Sequence, residues 1–253
     1  MGVTFERGTL TMAKVFNVNG ACKAGMHYMV DLKPRLAKIK TMIDAGQYFT
    51  INRARQYGKT TTLRALTDYL KRDYLVLSLD FQKMSSSDFE SEPAFVNGLA
   101  REINRRIQRM ADVPEKTKTE FLELENGKHL NAKMAEIFTY FSNWCEQSEK
   151  PVVLIIDEVD TATNNQVFLD FLAQLRADYI DNDIISTFQS VILAGLYDIR
   201  NLKRKIRDDG EHGFNSPWNI AADFNVDMSF SKAEITGMLS EYEADYHTGM
   251  NTN

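Results

Sequence analysis

Residues 48–70 read YFTINRARQYGKTTTLRALTDYL, a short apolar stretch that passes through a loop straight into a helix-patterned segment. Tyr48 to Asn52 is rich in aromatic and β-branched residues, as a buried strand requires, and Leu63, Leu66 and Leu70 recur at helical spacing. Strand, loop and helix in that order form the first half of a crossover unit, and the rest of the chain repeats the alternation.

"YLVLSLD" at Tyr74 to Asp80 reads as a second strand, "VVLIIDEVD" from Val152 as a third and "SVILAGL" from Ser190 as a fourth. "NIAADFNVD" from Asn219 is a weaker fifth. Between them, Phe95, Leu99, Ile103, Ile107 and Met110 mark one amphipathic helix. Met134, Ile137, Phe138, Phe141 and Cys145 mark another, with Asn131 as its expected N-cap, and Val167, Phe168, Phe171, Leu172, Leu175 and Tyr179 mark a third. The charged stretch "DVPEKTKTEFLELENGKHL" reads as an exposed connection with at most a short helix. Ser231 and Glu234 form a capping box for a last amphipathic helix carrying Ile235, Met238, Leu239 and Tyr242. Strands alternating with helices imply an α/β fold with a parallel sheet and right-handed crossovers.

The loop between the first strand and helix satisfies the end of the pattern G-x-x-x-x-G-K-[ST] with Gly58, Lys59 and Thr60, whereas Arg53 stands where the pattern begins with glycine. Phosphates need inward backbone N–H groups at a helix N-terminus, a flexible cation and a hydroxyl for magnesium. Gly58, Lys59 and Thr60 can supply these, so Arg53, Ala54, Arg55, Gln56, Tyr57, Gly58, Lys59, Thr60 and Thr61 are the expected nucleotide-binding stretch. Taken alone, G-K-T is a common tripeptide and the arginines are surface charges; the strand before it and the helix after it give it weight.

Acids at the carboxyl end of the "VVLII" strand lie where ligands gather in an open parallel sheet. Asp157 is placed to hold magnesium together with Thr60, and Glu158 to polarise an attacking water, with Lys59 on the β- and γ-phosphates. Read without Lys59, Asp157, Glu158 and Asp160 are a solvated run of loop charge. No guanine-reading N-K-x-D segment occurs, so ATP with Mg2+ is the expected ligand.

Thirty basic and thirty-five acidic side chains give a formal charge of −5, so no global positive field recruits nucleic acid, although a local basic patch is compatible with that total. Cys22 and Cys145 fit no C-x-x-C pattern and the four histidines no ligand spacing, which points to free thiols in a reducing, cytoplasmic setting and against a metal site of protein ligands alone. The apolar runs are too short to span a bilayer and the N-terminus has no signal-peptide core.

"RARQYGKTT" resembles the R-P-R-x-x-G-K-[ST] loop of the bacterial AAA-ATPase-like family, whose members carry arginine at the position of Arg53; Ala54 departs from the family's proline. "HYMVDL" from His27 and "ILAGLYDIRNL" from Ile192 are similar to further stretches of it. The strand interposed between Lys59 and Asp157, with a glutamate after the aspartate, resembles the P-loop ATPase division with an additional strand and a catalytic glutamate. The resemblance implies a three-layer P-loop NTPase with sheet order 5-1-4-3-2, lid helices, and in many members a C-terminal nuclease-like domain beyond this chain. It also lets His27 and Tyr28 border the adenine, the alternative being packed aromatics of the N-terminal arm.

The expected organisation is an N-terminal arm and leading helix over 1–47, an ATPase core over 48–230 and the start of a truncated helical lid over 231–253. Arg55 is a candidate for the γ-phosphate or for a surface salt bridge; Arg200, Arg204 and Arg207 form a basic face or supply an arginine finger to a neighbour in a homo-oligomer; either Tyr197 or Asp198 replaces a polar γ-phosphate sensor, or sensing is weak. The function expected is Mg-dependent ATP hydrolysis driving an attached or partner effector. The rivals are a nucleotide switch or scaffold with negligible hydrolysis, a small-molecule kinase and a purely structural domain.

Overall fold

A computed structural model describes residues 14–18, 20–54, 57–126, 131–196 and 218–252. Four strands, β1 (Phe49–Asn52), β2 (Leu75–Asp80), β3 (Val152–Asp157) and β4 (Ser190–Gly195), form one parallel sheet in the order β1-β4-β3-β2. Asp80 pairs with Asp157 at one end of the sheet and Asn52 with Gly195, so the carboxyl ends of all four strands meet along one edge. That edge carries the loop after β1 and the acids after β3.

Alternate residues of the strands enter two separate cores, which makes three layers. Leu77, Leu154, Ile156 and Leu193 pack with α3 (Glu92–Ile107), α4 (Glu115–Glu125), α5 (Met134–Gln147) and α6 (Gln166–Ile180). Val76, Val153, Ile155 and Ile192 pack with α1 (Lys33–Asp44) and α2 (Lys59–Leu70) through Ile39, Ile43, Leu63 and Leu66. Strands buried on both faces explain why "VVLII" reads as a continuous apolar run rather than an alternating one.

Three expectations are corrected. The segment from Asn219 forms no named strand; it meets the sheet at one parallel bridge, Phe49 with Ala222, where the Ala222 N–H donates to Tyr48 O at 2.8 Å. The order is therefore 1-4-3-2 with a single-residue contact where the fifth strand was expected. Side-chain contacts, rather than a ladder, hold the two ends of that segment. Arg35 takes Asp227 O and Ser229 O at 3.1 and 3.0 Å, and fully buried Trp218 lies beside Tyr48 with its indole N–H on Thr50 Oγ1.

The charged stretch after α3 is a full helix, α4, whose Thr117, Phe121 and Leu124 are buried at helical spacing; its abundant Lys and Glu occupy the remaining positions. Helix α5 begins at Met134, not at a cap on Asn131. Glu136 closes back onto the Lys133 N–H, and Glu92 of α3 accepts from the Met134 N–H at 2.6 Å. The last helix, α7 (Lys232–Tyr246), does carry the Ser231–Glu234 capping box, but it has no buried residue.

Candidate functional site

Strand β1 delivers the chain to the loop, and Arg53 N–H donates to Gly195 O at 3.2 Å, extending the β1–β4 pairing by one step. Among the described residues only Glu158 and His247 are non-glycine residues with positive φ, so Arg53 occupies a backbone region open to any side chain. No glycine is required there. Its guanidinium turns aside, donating to Asn52 O at 2.9 Å and lying 5.7 Å from the Phe224 ring. Ala54 and Tyr57 are exposed; Arg55 and Gln56 lie outside the described residues.

Gly58 has φ 69°, the left-handed region, and stands as N-cap of α2. The first N–H groups of the helix that follows point back toward the loop, the arrangement in which a helix N-terminus receives anionic oxygens. Lys59, buried, reaches back to Arg53 O at 2.6 Å, closing the loop on itself. Thr60 Oγ1 donates to Asp157 Oδ2 at 2.9 Å. Thr61 Oγ1 accepts the Cys22 N–H at 3.1 Å, which keeps the hydroxyl proton of Thr61 available.

At the end of β3, Asp157 is buried and its Oδ1 accepts the Glu158 N–H at 3.0 Å. Burial raises its pKa above the ordinary carboxylate value and the neighbouring Asp80 adds to the rise, while the Thr60 and Glu158 hydrogen bonds and the charge of Lys59 oppose it. Glu158 is raised too, by burial first and by Asp157 second, with Lys59 again opposing. Two carboxyls and one ammonium thus interact across a space bounded by β1, α2 and β3. Glu158 holds φ 56° and ψ 39°, a conformation uncommon for a side chain of its size and found where surrounding contacts impose it.

The sequence signals for Gly58, Lys59, Thr60, Asp157 and Glu158 thus converge in space, although 97 positions separate Thr60 from Asp157. A profile of the family described as "AAA-like domain" matches residues 24–249. The chain belongs to that family.

The fold of this AAA-like domain is similar to that of a Walker-type ATPase of Pyrococcus abyssi, with a TM-score of 0.60 and 14% identity over 94% of this chain and 64% of the archaeal one. The ORC1 protein of Aeropyrum pernix, solved in complex with DNA, aligns with a TM-score of 0.49 and 8% identity over 85% of this chain and 50% of that one. The chain thus spans under two thirds of the length of either protein. No curated protein matches its sequence.

Beside the loop of this AAA-like domain, a cavity of about 530 Å³ opens along Gly58, Thr61 and Thr62, walled by Phe16, Tyr28 and Phe230. Tyr28 borders it while donating to Asp245 of α7 at 2.6 Å; His27 instead lines a smaller neighbouring hollow and accepts the Lys23 N–H through Nδ1. Reading the sequence overlooked Asp80, whose signal was its position at the carboxyl end of β2, and Arg35, whose binding to Asp227 and Ser229 no local pattern announces. Tyr197, Asp198, Arg200, Arg204 and Arg207 lie outside the described residues. Among the described residues no helix is long and apolar enough to cross a membrane.

Proposed function

We propose that this AAA-like domain binds Mg-ATP and hydrolyses it, driving or regulating an attached or partner effector. The observation that supports this best is the Thr60–Asp157 hydrogen bond, with Lys59 close enough to act on both acids. In this reading Lys59 exchanges Arg53 O for the β- and γ-phosphate oxygens, and the α2 N–H groups and Thr61 hydroxyl receive the remaining phosphate oxygens. The apolar cavity beside Gly58 takes the nucleoside, against the Phe16 and Tyr28 rings.

The donor set suits magnesium. A hydroxyl and a carboxylate 2.9 Å apart are hard oxygen ligands, and few protein ligands are needed, because Mg2+ keeps several waters and takes the rest from phosphate. Thr60 and Asp157 would hold the ion, which when bound neutralises charge developing on the phosphates. Glu158 accepts the proton of the attacking water. Asp157 and the helix N-terminus fix orientation.

The test compares wild type with Glu158→Gln and Lys59→Ala. Glu158→Gln should bind Mg-ATP as wild type does and release no phosphate above background; Lys59→Ala should lose binding. Equal single-turnover rates in wild type and Glu158→Gln would remove the catalytic assignment. A nucleotide switch with negligible hydrolysis is the second reading, favoured because, among the described residues, the end of β4 at Ala194, Gly195 and Leu196 carries no polar side chain. It predicts tight binding with no turnover even in wild type.

A further inference from the structure

Asp160 follows the two proposed site acids at a spacing of two and belongs to the short 3-10 turn Val159–Thr161. Its Oδ2 accepts the Leu196 N–H, just past β4. The carbonyl of the same peptide group, Gly195 O, accepts the Arg53 N–H at 3.2 Å. A single amide therefore joins the first residue of the phosphate loop to the turn that carries Glu158. Because a peptide group is planar and trans, its N–H and C=O point in opposite directions at fixed separation. The two ends of the site are held apart by a rigid spacer.

Gly195 is shaped for this contact. A Cβ there would stand 2.9 Å from Asp160 Oδ2 and 3.0 Å from Asp160 Oδ1 and from Val159 Cγ2, closer than such atoms pack. The Thr161 hydroxyl donates to Glu158 O at 2.9 Å and the Thr163 hydroxyl to Asp160 O at 3.0 Å, which ties both ends of the turn internally. The bond to Leu196 references that tied unit to the sheet.

We infer that Asp160 is a positioning residue: through the Gly195–Leu196 peptide it sets the placement of Glu158 relative to the phosphate loop. The inference rests on the ATPase reading above. Small displacements of a catalytic group cost rate far more than they cost ligand affinity, so the effect belongs in turnover and not in binding.

The experiment measures single-turnover ATP hydrolysis, equilibrium Mg-ATP binding and hydrogen–deuterium exchange over 157–163 for wild type, Asp160→Ala, Asp160→Asn and Gly195→Ala. Asp160→Ala and Gly195→Ala should hydrolyse at least about tenfold more slowly, with binding changed by less than about threefold, and exchange faster over the turn. Asp160→Asn, which keeps an acceptor oxygen, should recover most of both losses. A wild-type rate in Asp160→Ala, or an equal loss in Asp160→Asn, overturns the inference. Should wild type bind Mg-ATP yet release no phosphate, the hydrolytic reading fails by itself. The exchange data still decide the peptide link, and unchanged exchange in Asp160→Ala overturns it.

Discussion

Gly58 and Glu158 share a left-handed backbone, and the shared geometry has opposite consequences. At Gly58 the conformation is free of steric cost, and a Cβ would meet nothing within 4 Å, so replacement by alanine strains only the backbone. Gly58→Ala should lower stability by roughly 1–2 kcal/mol, the cost of a left-handed alanine, read from chemical denaturation without nucleotide. At Glu158 the strain is already present, so Glu158→Gly should leave stability equal or higher while removing the carboxyl; a clear loss of stability would show that the acid itself holds the turn. Cys145 provides a contrast away from the site: burial pushes its thiol up to about 12, so thiol reagents at pH 8 should modify it more slowly than an unhindered cysteine, as timed labelling would reveal. Most of the candidate site was legible because G-K-T and D-E each describe one local turn. Asp160 and Arg35 act through partners 36 and 192 positions away and leave no local trace.

Helix α7 is the element whose stability is most separable from the rest. It buries no residue, and it is held by the Ser231–Glu234 capping box, the Tyr28–Asp245 and Lys14–Glu241 contacts, and Tyr242, which meets the Tyr28 ring edge-on and the Phe16 ring at a tilt. Amides of 232–246 should exchange at a free energy well below that of β3, and Ser231→Ala should lower it further by about 1 kcal/mol. The Glu234 carboxyl is held below its ordinary value, first by the Ser231 N–H that it accepts. A depressed acid contributes stability above its unfolded pKa, and the contribution is lost as pH falls through the folded value. The free energy of exchange of α7 amides, referenced to the unstructured rate at each pH, should thus fall below about pH 4, before that of the core does. Periodicity revealed α7 and its cap but not its exposure, since a pattern reports which residues can face a core and not whether one is supplied. The reverse held for α4, whose charged residues masked Thr117, Phe121 and Leu124.

At the scale of the molecule, the two cores lie on opposite faces of one sheet, so β3 contributes to both: Leu154 and Ile156 to one, Val153 and Ile155 to the other. Ile155→Ala should cost about 2–5 kcal/mol in global unfolding, as large-to-small changes in filled cores do, and Leu154→Ala should act similarly from the other face. The layer arrangement was readable because apolar strands alternated with helices. The missing fifth strand was not, because Trp218 anchors the start of that segment on the Thr50 hydroxyl and Arg35 holds the Asp227 and Ser229 carbonyls at its end, both from outside any local pattern. The two cores converge on the strand ends, where the proposed magnesium pair Thr60 and Asp157 joins α2 to β3. Equilibrium binding of ATP with and without Mg2+ to wild type and Asp157→Asn tests that convergence. Magnesium should tighten ATP at least about tenfold, or 1.4 kcal/mol, in wild type and leave the variant unchanged. The same magnesium dependence in both proteins would contradict it.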